Sequence, residues 1–264
     1  MESKIMTSHL QTISHKRDFA MPYFSLLCGG HKGLYISTIK FEELEDLIRF
    51  SNASLRDGIK EDYKATINGE VRPEAQRVLR FYHLKYAILN YNACYDYILQ
   101  IIYFAFDFCE DITTREIYQE QLVKCTFSNN SKFRQRFKAF SETNTKAKEL
   151  FDKLDDFYNN KRKQLGGWAN AIKHRGGLSI PEMIPNRQNA CICNDGEIVF
   201  SPQIIYPNII TIDEIIEELK EQNRIICEFS EYLFDFLGFN NVCTNRLSAD
   251  GWFADVRPFV YTEN

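Results

Sequence analysis

From Pro73 onward, apolar residues recur at 78/79, 82, 86, 89, 93, 97, 101, 104 and 108. That is the three-and-four spacing of one helix face. No Gly or Pro interrupts the run before about Cys109, and Pro73 sits where a helix tolerates proline, in its first turn. The pattern predicts a helix of roughly 35 residues, about 50 Å long at 1.5 Å per residue. Its stripe of Tyr82, Tyr86, Tyr91, Tyr95, Tyr97 and Tyr103 reads as core and interface rather than as a stacking platform, because each phenol tip needs one partner. His83, six residues after Arg77, reads as a partly buried helix histidine with a satisfied hydrogen bond.

Shorter periodic segments surround this one. Residues 41–56 carry apolar positions at 41, 44, 47, 48 and 55 and predict an amphipathic helix. Thr113 with Glu116 reads as a capping box opening a helix to about Lys124. A further helix runs from Thr143 or Asn144 to Asn160, with Leu150, Phe151, Leu154, Phe157 and Tyr158 inward. The last begins at Thr211, with Glu214 completing a capping box and Ile210 and Ile215 a hydrophobic staple. It ends at Gly238 and turns Ile212, Ile216, Leu219, Ile226, Phe229, Leu233 and Phe236 to one face. Residues 24–28 and 34–40, around Gly29–Gly33, read as a small hairpin, and Asn194-Asp195-Gly196 as the turn of a second between 190–193 and 197–200, with 204–206 a possible added strand. Residues 1–22 read as an arm, 57–71 as a linker, 179–187 as a connector, and 240–264 as an aromatic tail docked on the body or on a partner. The fold class is mainly α: an up-and-down helical bundle with a small β-hairpin insertion. The expected division is 1–70 (arm, hairpin and helix), 71–240 (bundle, with the β insertion near 190–206) and 241–264 (tail).

Composition narrows the class. The chain has 264 residues, 44% of them hydrophobic, with 21 Phe and 14 Tyr, so it can build a sizeable aromatic core. A net charge of −4 means that any polyanion contact must come from a local patch. Two basic segments contain no acid. Residues 121–141 hold Lys124, Lys132, Arg134, Arg136 and Lys138, interleaved with Phe133, Phe137 and Phe140; residues 161–175 hold Lys161, Arg162, Lys163, Lys173 and Arg175. Each is either a solvated helix face or a phosphate-backbone contact. The acids of the last helix offer a third account, as partners for these cations. The eight cysteines lie mostly among apolar residues and are expected as reduced thiols in a cytoplasmic protein. Cys191-x-Cys193 lacks zinc spacing, no histidine pair has ligand spacing, and neither metal nor cofactor is expected. The most apolar run, 98–106, is shorter than the roughly 20 residues a bilayer span needs, so no membrane partner is expected.

The candidate chemistry lies in 161–180, KRKQLGGWANAIKHRGGLSI. Gly166-Gly167 is expected to bend or break the helix. Residues 168–175 continue it, and Gly176-Gly177 would cap it. Lys173, His174 and Arg175 then fall in the last turn, where cations meet the negative end of the helix dipole. That alone accounts for KHRGG. A functional account uses the same residues: Asn170, Lys173 and His174 share a face at i, i+3 and i+4. Flanking cations should lower the pKa of His174 and leave a neutral imidazole able to take a proton from a ribose hydroxyl. The catalytic candidates are His174, Asn170 and Arg175; the RNA-binding candidates are Lys173, Arg162, Lys161, Lys163, Arg134 and Arg136.

WANAIKHRGG resembles the motif region of the HEPN superfamily, an Arg followed by a polar residue with His four to six residues after the Arg. Asn170 matches the polar position and His174 the histidine; Ala169 stands where the Arg is expected. The resemblance implies an all-helical bundle, a homodimer, and metal-independent endoribonuclease activity in a defence or toxin system. Arg162 or Arg175 would then substitute for the arginine. Otherwise the chain is a non-catalytic relative that binds RNA, a nucleotide or a protein partner.

Overall fold

Pro73 does open the long helix, and Ala105 closes it. The structure is a computed structural model and describes residues 10–11, 17–19, 32–61, 63, 66–67, 70–71, 73–174, 177–182, 192–194, 197–200, 209–239 and 243–245. These are mainly helical: α1 (Lys32–Ile59), α2 (Pro73–Ala105), α3 (Arg115–Lys124), α4 (Lys132–Thr143), α5 (Thr145–Asp156), a π-helical turn (Phe157–Lys161), α6 (Lys163–His174) and α7 (Ile212–Phe236). Three antiparallel strand pairs accompany them: β1 (Arg17–Phe19) with β6 (Cys243–Asn245), β2 (Thr66–Ile67) with β3 (Glu70–Val71), and β4 (Ile192–Asn194) with β5 (Glu197–Phe200). Among the described residues no helix is long and apolar enough to cross a membrane.

The chain divides into two compact units, each assembled from separated stretches. The first comprises Met1–Leu10, Phe50–Asn92 and Lys163–Asn223; the second comprises Gln11–Arg49, Ala93–Arg162 and Arg224–Asn264. In the first, Leu55, Leu84, Ile88, Leu165, Trp168, Ile215 and Leu219 are buried together with a polar set. Asn52 Oδ1 accepts from the Tyr91 hydroxyl and, at 2.9 Å, from Asn223 Nδ2. Gly58 keeps α1 close to α2: a Cβ there would lie 2.5 Å from Leu84 Cδ2, and Arg80 Nε donates to the Gly58 carbonyl at 3.1 Å. His83 lacks the expected hydrogen bond among the described residues. Its ring instead stacks on Tyr63, with centroids 5.8 Å apart.

The second unit is aromatic throughout. Phe157, at the start of the π turn, lies between Tyr95 (4.3 Å) and Phe229 (4.1 Å), and Phe41 packs on Phe234 (5.0 Å) and Phe239 (5.8 Å). Asn144 serves two helices. It ends α4, and its side chain caps α5 by accepting from Ala147 N at 3.0 Å. Buried Lys40 is paired, donating to Glu43 at 2.6 Å and lying over the rings of Tyr97 and Tyr118. Four cysteines, Cys94, Cys109, Cys125 and Cys227, are free thiols, and burial pushes Cys125 and Cys227 up to about 12.

Several expectations need correction. Residues 34–40 are helix, not a hairpin strand: α1 begins at Lys32 and buries Leu34, Ser37, Thr38 and Phe41, one helical face. The hydroxyls of Ser37 and Thr38 donate back to the carbonyls of Leu34 (2.7 Å) and Tyr35 (2.8 Å), which lets polar residues occupy that face. The expected linker contains β2 and β3. The cap of α3 is Thr114, accepting from Ile117 N at 3.3 Å, not Thr113. Gly166-Gly167 lies within continuous helix. Residues 24–28, the Gly29–His31 turn, the connector beyond Glu182, 204–206, and the tail beyond Asn245 lie outside the described residues.

The long helix stops at Ala105 without a glycine. Asp107 takes a left-handed conformation (φ 49°), Phe108 N donates to Tyr103 O and Asp107 N to Phe104 O, both at 3.1 Å. This is the Schellman pattern, and Phe108 against Tyr103 supplies its apolar contact.

Candidate functional site

The site starts from the two sides of α6. Leu165, Trp168 and Ala169 are buried, while Lys163, Gln164, Gly167, Asn170, Lys173 and His174 are exposed. Lys163, Gly167, Asn170 and His174 follow one another at spacings of four, three and four and therefore form a line along the helix, with Lys173 beside its end. Gly167 lies in open surface: a Cβ there would meet nothing within 4 Å. Gly177, at φ 109°, donates its N–H to the Ala171 carbonyl at 3.1 Å. Lys163, Asn170, Lys173 and His174 make no hydrogen bond or ion pair among the described residues. Arg175 lies outside them.

The other basic candidates belong to the second unit, and its own groups engage the arginines. Arg134 donates to Asp155 Oδ1 from Nε (3.1 Å) and Nη2 (2.8 Å), above the rings of Phe127 and Phe151. Arg136 donates to the Phe108 carbonyl and lies over the Phe108 ring. Arg162 pairs with Asp96 at 3.2 Å and stacks on Tyr158 at 4.7 Å. These roles are structural: each guanidinium helps hold the end of an element against an aromatic core. Lys161 is exposed on the π turn. Two acids of α7 pair within their own helix. Glu217 pairs with Lys220, and Glu228 with Arg224, both at 2.7 Å within the helix.

Ala169, the position of the arginine in the motif, is fully buried, so that position belongs to the core side of α6 while Asn170 and His174 belong to the solvent side. Arg162 is committed to Asp96. The arrangement left on α6 is a cationic, acid-free face about 15 Å long at 1.5 Å per residue, with one imidazole at its end. Such a face can hold successive phosphates, and it can present His174 to a hydroxyl.

Sequence reasoning missed the exposure of part of α2. Tyr91, Tyr95 and Tyr103 are buried as expected, but Tyr82 and Tyr86 stand in solvent. Among the described residues no group of three or more His, Cys, Asp or Glu side chains is placed to hold a metal ion. Comparison with family models, curated proteins and solved structures finds no match for this chain.

Proposed function

We propose that the protein is a HEPN-like RNA-binding module whose contact surface is the exposed face of α6. The observation that carries this reading is the contrast between two sets of cations. Lys163 and Lys173, with Asn170 and His174, have no partner among the described residues, whereas Arg134, Arg136 and Arg162 are held by carboxylates, a carbonyl and rings of their own unit. Cations spread along a helix suit a polyanion better than a single nucleotide. With Ala169 in the core, the reading is of a non-catalytic relative, acting as the homodimer that the resemblance implies.

The test is binding of single-stranded RNA across a salt series. Lys163→Ala/Lys173→Ala should weaken binding and reduce the salt slope by about 1.4, at roughly 0.7 for each phosphate no longer neutralised. Unchanged affinity and slope would remove the reading. Exposed His174 beside Lys173 also supports a second reading, metal-independent endoribonuclease activity with His174 as general base and Asn170 positioning it or the phosphate. Cleavage in the presence of chelator that disappears in His174→Ala would establish it; no cleavage by either protein would end it.

A further inference from the structure

The described residues give no structural reason for glycine at position 167. It lies in the middle of α6, and its backbone is ordinary helix, with none of the positive φ seen at Gly177 and Gly238. No neighbour needs the space either, since a Cβ there would meet nothing within 4 Å. Gly58 is the contrast: a Cβ at that position would lie 2.5 Å from Leu84 Cδ2. Alanine is the better helix former at an exposed mid-helix position, so glycine here costs stability without serving packing or backbone geometry. Local choices that work against the fold concentrate where a protein meets its ligand.

The missing side chain uncovers backbone. A helical side chain leans toward the N-terminus and covers the turn before its own Cα. With none at 167, the carbonyls of Lys163 and Gln164, both exposed residues, are left open on the surface. Each has a second lone pair besides the one used in the helix ladder. These acceptors sit within the line Lys163, Gly167, Asn170 and His174, with Lys173 beside its end. Lys163 and Lys173 have no partner among the described residues, and residues 161–175 contain no acid. The face therefore sets neutral acceptors between cations. A ribose–phosphate backbone answers both, with phosphates for the lysines and a hydroxyl for the carbonyls; a deoxyribose backbone supplies only the charge. A second copy of the chain seated on this face would bring the same acid-free patch against itself, cation toward cation.

We infer that Gly167 is a ribose-contact point: a ribose of bound RNA lies directly on the helix backbone there, and its 2′-hydroxyl donates to the carbonyl of Lys163 or Gln164. This rests on the reading of α6 as an RNA-binding face and deepens it, from attraction of a polyanion to a preference for RNA over DNA.

The experiment compares binding of a labelled oligoadenylate and of the oligodeoxyadenylate of the same length, at one salt concentration, to three full-length proteins: wild type, Gly167→Ala and Lys163→Ala/Lys173→Ala. Wild type should bind the RNA more tightly than the DNA. Gly167→Ala should lower RNA affinity about threefold to tenfold, the range for one lost hydrogen bond, and change DNA affinity by less than about twofold. Its thermal midpoint should rise by about 1–4 °C, so that weaker binding cannot be traced to a weakened fold. The lysine pair should weaken both ligands alike. Equal wild-type affinity for RNA and DNA, or wild-type RNA affinity in Gly167→Ala, would overturn the ribose contact; weaker binding by the lysine pair would then leave the α6 reading standing. No RNA binding by wild type, or RNA binding untouched in the lysine pair, would overturn both. A lowered midpoint in Gly167→Ala would show that the fold requires the glycine, and equal loss of RNA and DNA binding would show a contact blind to the hydroxyl. Either result would also overturn it.

Discussion

Placing an arginine where the HEPN motif has one, Ala169→Arg, should damage the fold rather than confer activity. Ala169 is 0% exposed and shares its helix face with Leu165 and Trp168, both buried. An arginine there adds most of a long side chain to a packed interior, a cost of about 1–3 kcal/mol. It also takes a guanidinium out of water, and an unpaired buried charge costs about 3–5 kcal/mol. The sum, roughly 4–8 kcal/mol, is comparable with the whole stability of a typical domain. Urea unfolding followed by circular dichroism should show a midpoint lowered by more than about 1 M, or no folded baseline. Asn170→Arg, one residue on and exposed, should stay within about 0.5 kcal/mol of wild type. An Ala169→Arg protein with an unchanged midpoint would refute the placement of position 169 in the core. One that gained chelator-resistant RNA cleavage would refute the account of why the motif lacks its arginine.

Two further predictions concern the second unit. Burial pushes the Glu45 carboxyl up to about 7; nearby Glu42, Glu231 and Asp46 add to this, and Arg49 opposes it. The folded state then holds a proton that the unfolded state releases near pH 4.5, so this group's contribution to stability should grow as pH falls from about 7 toward 4.5. Unfolding midpoints at pH 8 and pH 6 should differ more in wild type than in Glu45→Gln, and parallel pH dependence would contradict the assignment. In Gly33→Ala the new Cβ would run into the Phe104 carbonyl oxygen and Asp107 Oδ1, the first of which is backbone and cannot step aside. The expected cost of about 2 kcal/mol exceeds the gain of about 1 kcal/mol in helix propensity; a raised thermal midpoint would show that the two helices do not approach as described.

How much of this was legible depended on whether the signal was local. The start of α7 was readable because cap and partner are three residues apart: Thr211 N and Oγ1 donate to Glu214 Oε2 at 2.8 and 2.9 Å, and Glu214 N returns a bond to Thr211 Oγ1 at 3.2 Å. The shared exposed face of Asn170, Lys173 and His174 followed from spacing in the same way. The start of α1 was hidden because Leu34-Tyr35-Ile36-Ser37-Thr38-Ile39 has strand-like composition, and the carbonyls that satisfy its hydroxyls become acceptors only inside a helix. The end of α2 was hidden because Asp107 does what glycine usually does. The partners of the arginines were hidden because Asp155, Asp96 and Phe108 are 21, 66 and 28 residues away, and no local pattern connects them. The exposure of Tyr82 and Tyr86 was missed because the first half of α2 has two apolar stripes, one through Leu84, Ala87, Ile88 and Tyr91 and one through Val78, Tyr82 and Tyr86. Periodicity alone cannot say which is covered.

The interleaving of the two units has a consequence for biosynthesis. Each draws on three separated stretches, and each includes part of α7, up to Asn223 in the first and from Arg224 in the second. A ribosome emitting the chain from its N-terminus would deliver α1 to α6 long before either unit could be completed. Until Ile212–Phe236 clears the exit tunnel, the aromatic faces meant for α7, including Phe41 and Phe157, have no cover. The nascent chain should therefore depend on holdase chaperones until α7 has emerged. For the same reason neither unit can be expressed as a contiguous fragment of its own: Met1–Asn223 holds all of the first unit but carries Gln11–Arg49 and Ala93–Arg162 of the second with it.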